Sequence, residues 1–126
     1  AERVALSRNA VWRRIKALEA SGVIAKRVAI LDAAKLNLGL SVFILIRTAQ
    51  HDPKWLETFS KMTADLPEIQ AAYRMSGELD YLVRARVADV ADYDRLYQRI
   101  IRRVDLSDVS ASFVMEDIKE TTELAL

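Results

Sequence analysis

The sequence predicts an α+β chain in two parts, a basic helical segment in front and a β-α-β-β-α-β unit behind it. Three observations carry that expectation. Apolar residues recur at helical spacing between Ser7 and Gly22, then at strand spacing downstream, where two further helical stretches interrupt them. Cap and turn residues stand where the period changes. Charge is divided unevenly: residues 1–31 hold seven Lys/Arg against Glu2 and Glu19, while the rest holds twelve basic and sixteen acidic residues. A basic, anion-seeking front end thus precedes an acidic body.

The elements follow in order. AERVAL reads as the end of a helix with Val4 and Leu6 inward, closed by a tight turn at Ala5-Leu6. Ser7 then offers a hydroxyl to the free amides of a first helical turn. Val11, Ile15 and Leu18 form one apolar stripe, and Gly22 suits the left-handed residue after a helix, with Val23 and Ile24 packing back. Two helices joined so closely describe a helix-turn-helix. VIAKRVAIL (23–31) reads as a strand closed by Asp32, and DAAKLNLGL (32–40) as a connector turning at Gly39.

LSVFILIRT (40–48) is expected to be a strand apolar on both faces. Asp52-Pro53 is a cap followed by a first-turn proline, opening a helix with Trp55, Phe59, Met62 and Leu66 inward. Ile69, Ala71, Tyr73 and Met75 alternate as a strand, Ser76-Gly77-Glu78 turns the chain, and Tyr81, Val83, Ala85 and Val87 form the next strand. Asp89 caps a helix bearing Tyr93, Leu96, Tyr97, Ile100 and Ile101, and a last strand spans Val109 to Ile118. This order is a split βαβ of the ferredoxin-like kind. VFILI and SASFVM carry apolar residues on both faces, whereas two helices cover only one face of such a sheet. A second sheet is the economical cover, which predicts an obligate homodimer.

Composition narrows the function. At 126 residues the chain is one domain or two small ones, 52% hydrophobic and 29% charged. Cysteine is absent, which removes disulfides, thiolate metal sites and cysteine nucleophiles and fits a cytoplasmic protein. No apolar run approaches the roughly 20 residues of a membrane span, so no membrane partner is expected. Ala1 in place of methionine points to a missing part of the natural N-terminus. His51 is the single histidine, beside the helix-opening Asp52-Pro53, and no phosphate loop, metal-ligand cluster or nucleophilic triad is recognisable. The expectation is therefore no enzyme, no catalytic residue and no metal.

The chemistry lies on the first helix. With Val11, Ile15 and Leu18 placed inward, Asn9, Arg13 and Lys16 fall opposite, Trp12 on one shoulder, and Arg8 and Arg14 beside the stripe. A helix that merely faces water mixes acids among its bases to gain i,i+4 pairs, yet Glu19 is the only acid between Ser7 and Gly22. Asparagine and arginine can make bidentate contacts with adenine and guanine in the major groove.

At four places in order the sequence resembles the leucine-responsive regulatory protein/AsnC (Lrp/AsnC) family of prokaryotic transcription regulators: LSRNAVWRRIKALEASGVI, AILDAAKLNLGL, SGELDYLVRARV and FVMEDIKETTELAL. The resemblance covers nearly all 126 residues. It implies a partial winged helix-turn-helix over 1–31, lacking its first helix and ending in a hinge strand. A linker over 32–40 and a ferredoxin-like effector and dimerisation domain over 41–126 would follow. The implied partners are double-stranded operator DNA, a second subunit in a homodimer that often assembles into octamers, and an amino acid as effector, with no other cofactor.

The implied DNA contacts come from Arg8, Asn9, Trp12 and Arg13, with Arg14 and Lys16 on phosphates. Trp12 departs from the small or polar residue usual there. The implied effector site lies at the subunit interface around Arg74, Gly77, Asp80 and Ser112. Gly77 would let a carboxylate approach backbone amides and Asp80 would hold an ammonium, or the two would simply build the turn. The competing function is a stand-alone amino-acid-binding and oligomerisation module without DNA binding.

Overall fold

In the computed structural model, residues 7–126 are described, and the expected helical end through Leu6 lies outside them. The chain forms two compact units, Ala1–Leu31 and Asp32–Leu126.

In the first unit, helix α1 spans Arg8–Ala20. Ser7 starts it in extended backbone, its hydroxyl accepting from the Ala10 amide at 3.2 Å. Gly22 ends it at φ +85°, a conformation costly for side chains with a Cβ. The chain returns through the Ile24 amide, which donates to the Leu18 carbonyl at 3.1 Å, while Val23 stays exposed rather than packing back. Val11 and Ile15 are half-buried; Leu18, expected in the same stripe, is 41% exposed. The expected strand over Val23–Leu31 is absent. Residues 25–31 are exposed, and among the described residues no strand pairs with them to take up their backbone hydrogen bonds.

The second unit opens with a 3-10 turn, Ala33–Leu36, capped by the Asp32 carboxylate on the Ala34 amide. The chain turns at Asn37, with φ 60°, and not at Gly39. Asparagine tolerates the left-handed region because its short amide can bond locally. Strands β1 (Leu40–Arg47), β2 (Ile69–Arg74), β3 (Tyr81–Val87) and β4 (Asp108–Phe113) alternate with helices α2 (Pro53–Asp65) and α3 (Val90–Arg103). Every strand pair is antiparallel, in the order β2-β3-β1-β4, the ferredoxin-like arrangement.

Asp52 caps α2 on the Trp55 amide and Asp89 caps α3 on the Asp92 amide, each at 2.8 Å. The core is one-sided. Val42, Ile44 and Ile46 of β1 and Tyr81, Val83, Ala85 and Val87 of β3 meet Trp55, Phe59, Met62, Leu96 and Ile100 of the helices. Trp55 stacks on Phe59 with centroids 5.2 Å apart and donates its indole N–H to the Asp105 carbonyl at 2.9 Å. Ile101, expected to be inward, is 40% exposed.

The opposite face of the sheet presents Phe43, Leu45, Leu82 and Tyr73. It is less apolar than expected on β4, which ends at Phe113 instead of Ile118 and turns Asp108, Ser110 and Ser112 to this side. A bulge between Ile69 and Ala71 breaks the simple alternation expected of β2, and Met75 lies beyond its end.

Candidate functional site

Helix α1 turns a polar, mostly basic face outward, and its single acid, Glu19, is half-buried. Arg8, Asn9, Trp12, Arg13, Arg14 and Lys16 are all exposed, and the Ser7 cap fixes the first turn on which Arg8 and Asn9 stand. Among the described residues, no carboxylate lies within ion-pair distance of Arg8, Arg13 or Arg14. Such guanidiniums remain available to phosphates and base edges.

Trp12 is not a bare aromatic on this surface. Lys16 Nζ stands 4.5 Å from its ring centroid, and Arg27 Cζ, reached from beyond the end of the helix, stands at 5.8 Å. Both distances suit cation–π attraction. Glu19 binds both cations: its Oε2 accepts from Arg27 Nε at 3.2 Å, and its Oε1 lies 3.9 Å from Lys16 Nζ. Sequence reasoning missed Arg27 and Glu19 as members of this surface. The signal available was the lone acid at position 19, one turn after Lys16.

In the second unit, the chain brings Arg74, Gly77 and Asp80 together at the β2–β3 turn. Arg74 ends β2 opposite Tyr81, and Gly77 takes φ +96°. Asp80 is held on three sides. Its amide donates to the Ile46 carbonyl at 3.0 Å, its carbonyl accepts from the Met75 amide at 2.9 Å, and its Oδ2 accepts from the Thr48 amide at 2.8 Å. One carboxylate oxygen is thus engaged in joining the turn to the end of β1. Arg47 adds a second tie, donating to the Glu78 carbonyl at 3.2 Å and reaching Asp108 on β4 at 3.7 Å. Thr48 and Arg47 were also missed, because their partners lie some thirty residues or more away.

Ser112 does not join this group within one chain. It pairs with Phe43, whereas the turn adjoins Ile46, three residues further along β1. Among the described residues no cluster of His, Asp or Glu could hold a metal ion, and no helix is long and apolar enough to cross a membrane.

A capped basic helix therefore precedes a ferredoxin-like sheet in the chain, and both parts match families of transcription regulators. Residues 1–25 match the family model described as winged helix-turn-helix DNA-binding, and residues 41–124 match that described as Lrp/AsnC ligand binding domain. The chain belongs to the Lrp/AsnC family, whose members are regulators of transcription and not enzymes.

Among curated proteins it is 48% identical over 125 residues to the glutamate uptake regulatory protein of Zymomonas mobilis, covering 99% of this chain and 76% of that one. It is 44% identical to the DNA-binding transcriptional activator DecR of Escherichia coli, covering 100% of this chain and 84% of that one. An AsnC family transcriptional regulator from Agrobacterium tumefaciens superposes with a TM-score of 0.91 at 49% identity, over 99% of this chain and 82% of that one. A transcriptional regulator from Neisseria meningitidis, solved as a complex with L-Met, superposes at 0.88 with 32% identity, over 98% and 80%.

Proposed function

We propose that the protein binds operator DNA as a homodimer through the exposed face of α1 and that an amino acid bound near the β2–β3 turn regulates it. Arg8, Asn9, Trp12 and Arg13 read base edges, and Arg14 and Lys16 contact phosphates. The observation that carries this reading is the exposed basic face of α1, where Arg8, Arg13 and Arg14 have no carboxylate partner among the described residues, inside a segment matching a DNA-binding family model. Residues 1–31 serve as the DNA-binding part, 32–40 as the linker, and 41–126 as the sensing and oligomerising part. A regulator of this kind works in the cytoplasm, where its DNA is.

The dimer forms across the open sheet face, where Phe43, Leu45, Leu82 and Tyr73 need cover. Association into larger rings such as octamers builds on that dimer. The relative solved with L-Met supports an amino acid as the effector. Gly77 gives a carboxylate access to the backbone, the oxygen of Asp80 not bound to Thr48 faces the ammonium, and Arg74 adds a cation. Ser112 reaches the turn from the second subunit, which reconciles its place in one chain with a shared site.

Fluorescence anisotropy with a pseudo-palindromic operator duplex, titrated with salt, tests the DNA reading. Affinity should fall steeply and linearly on a log–log plot as cations leave phosphates. Affinity indifferent to salt would instead favour the amino-acid-binding module without DNA. A thermal-shift screen of the natural amino acids, run alongside, tests the effector: a stabilising hit supports it, and none across the set sinks it.

A further inference from the structure

We infer that Glu19 is a specificity-determining residue, a carboxylate that withholds Lys16 and Arg27 from non-specific phosphates and keeps them around Trp12. The inference rests on the DNA-binding reading of α1 and adds a restraint built into the same surface. Two contacts of Glu19 and two of Trp12 place the carboxylate at its centre. Its Oε2 accepts from Arg27 Nε at 3.2 Å, its Oε1 lies 3.9 Å from Lys16 Nζ, and both cations approach the Trp12 ring. The Glu19 side chain is 29% exposed against 53% for each cation, so the acid lies beneath the bases. Its Oε1 is shielded from solvent and, among the described residues, accepts no hydrogen bond. A carboxylate oxygen in that state holds a neighbouring cation by charge alone.

The consequence follows from how proteins discriminate between DNA sequences. Binding to random duplex is almost wholly electrostatic and scales with the number of cations reaching phosphates. Binding to an operator adds base-edge contacts, which require side chains held in place. Glu19 acts on both. It holds two cations back from the phosphates of random duplex, and it keeps Trp12 flanked in one orientation at the shoulder of the helix. An operator that fits the indole recovers the cost of freeing those cations; random DNA does not.

The test compares the wild type with Glu19→Gln, Glu19→Asp and the double variant Glu19→Gln/Arg27→Gln, on operator and random duplexes between 50 and 200 mM salt. Each cation that moves to a phosphate steepens the log–log slope by about 0.9. Glu19→Gln should therefore steepen the slope on random DNA by about 1 to 2 and lower the operator-to-random affinity ratio. Over that salt range the steepening reads as an extra loss of roughly 4- to 16-fold in affinity. Glu19→Asp should restore much of the wild-type slope, and the double variant should lose about half of the steepening. Helical circular dichroism should match the wild type in all, since Ser7 and Gly22 are untouched. A wild-type slope and ratio in Glu19→Gln overturn the inference while the DNA reading stands. Absence of salt-dependent DNA binding by the wild type overturns both.

Discussion

The Thr48 amide donates to Asp80 Oδ2 at 2.8 Å, tying the residue after β1 to the turn before β3. Thr48 is almost fully buried, so its N–H has no water to turn to if the carboxylate goes. The same side chain stands where an effector's ammonium is proposed to bind. Its structural and its recognition roles use different oxygens, and two substitutions separate them.

Asp80→Ala removes the acceptor and leaves a buried amide unpaired, which should cost about 1–3 kcal/mol in urea unfolding. Asp80→Asn keeps an acceptor oxygen in place and should lose much less. If the free oxygen holds an ammonium, Asp80→Asn should still abolish the thermal shift given by an amino-acid effector, because the charge is gone. An effector shift of wild-type size in Asp80→Asn would remove the carboxylate from the site. The alanine variant alone could not decide this, since a distorted turn also loses ligand.

Arg13 faces away from Val11 and Ile15, without an ion pair among the described residues. Arg13→Ala should weaken operator binding by about 1–3 kcal/mol if the guanidinium reads a base, and relax discrimination at one position. A uniform loss on all sequences with a slope lowered by about one would reassign it to a phosphate. Unchanged affinity would take it off the interface altogether. Thermal stability should move little, because the side chain is exposed.

Most of the second unit was legible from the sequence because its signals are local. Asp52-Pro53 and Asp89 mark helix starts by chemistry acting within three residues, and Tyr81, Val83, Ala85 and Val87 alternate without interruption. What the sequence hid was non-local. The apolar residues Val28, Ile30 and Leu31 look like a strand, yet a strand also needs a partner, and none pairs with them among the described residues. Asn37 outcompeted Gly39 for the turn because the 3-10 helix set by Asp32 ends one turn earlier. Of the candidate site, the exposed cations of α1 could be sorted by angle alone. The surroundings of Trp12 could not, since Arg27 lies fifteen residues further along the chain.

The open sheet face gives the dimer its own test. Phe43 sits between Arg84 on β3 and Ser112 on β4, on the side the helices do not cover. Phe43→Lys places a charge at the centre of the proposed interface without entering the one-sided core. The variant should sediment as a monomer at micromolar concentration, with its circular dichroism preserved. A dimer of unchanged affinity would move the interface away from this face.

Tyr93 offers a pH-dependent test of the packing of α3 on β4. Its ring meets Phe113 edge-on at 5.4 Å and lies 6.2 Å from Tyr97. Burial, foremost, and the neighbouring Tyr97 and Asp94 raise its hydroxyl above the ordinary value of about 10. The folded state therefore keeps the proton at a pH where the unfolded chain releases it. That contribution is fully present below about pH 10 and is lost as pH rises through the raised folded value. Tyr93→Phe abolishes the titration while keeping the ring and its contact with Phe113. Urea midpoints measured from pH 8 to 11 should decline less steeply above pH 10 in the variant than in the wild type. Parallel declines would show that the Tyr93 hydroxyl is solvated, and that α3 sits more loosely over Phe113 than the 5.4 Å contact implies.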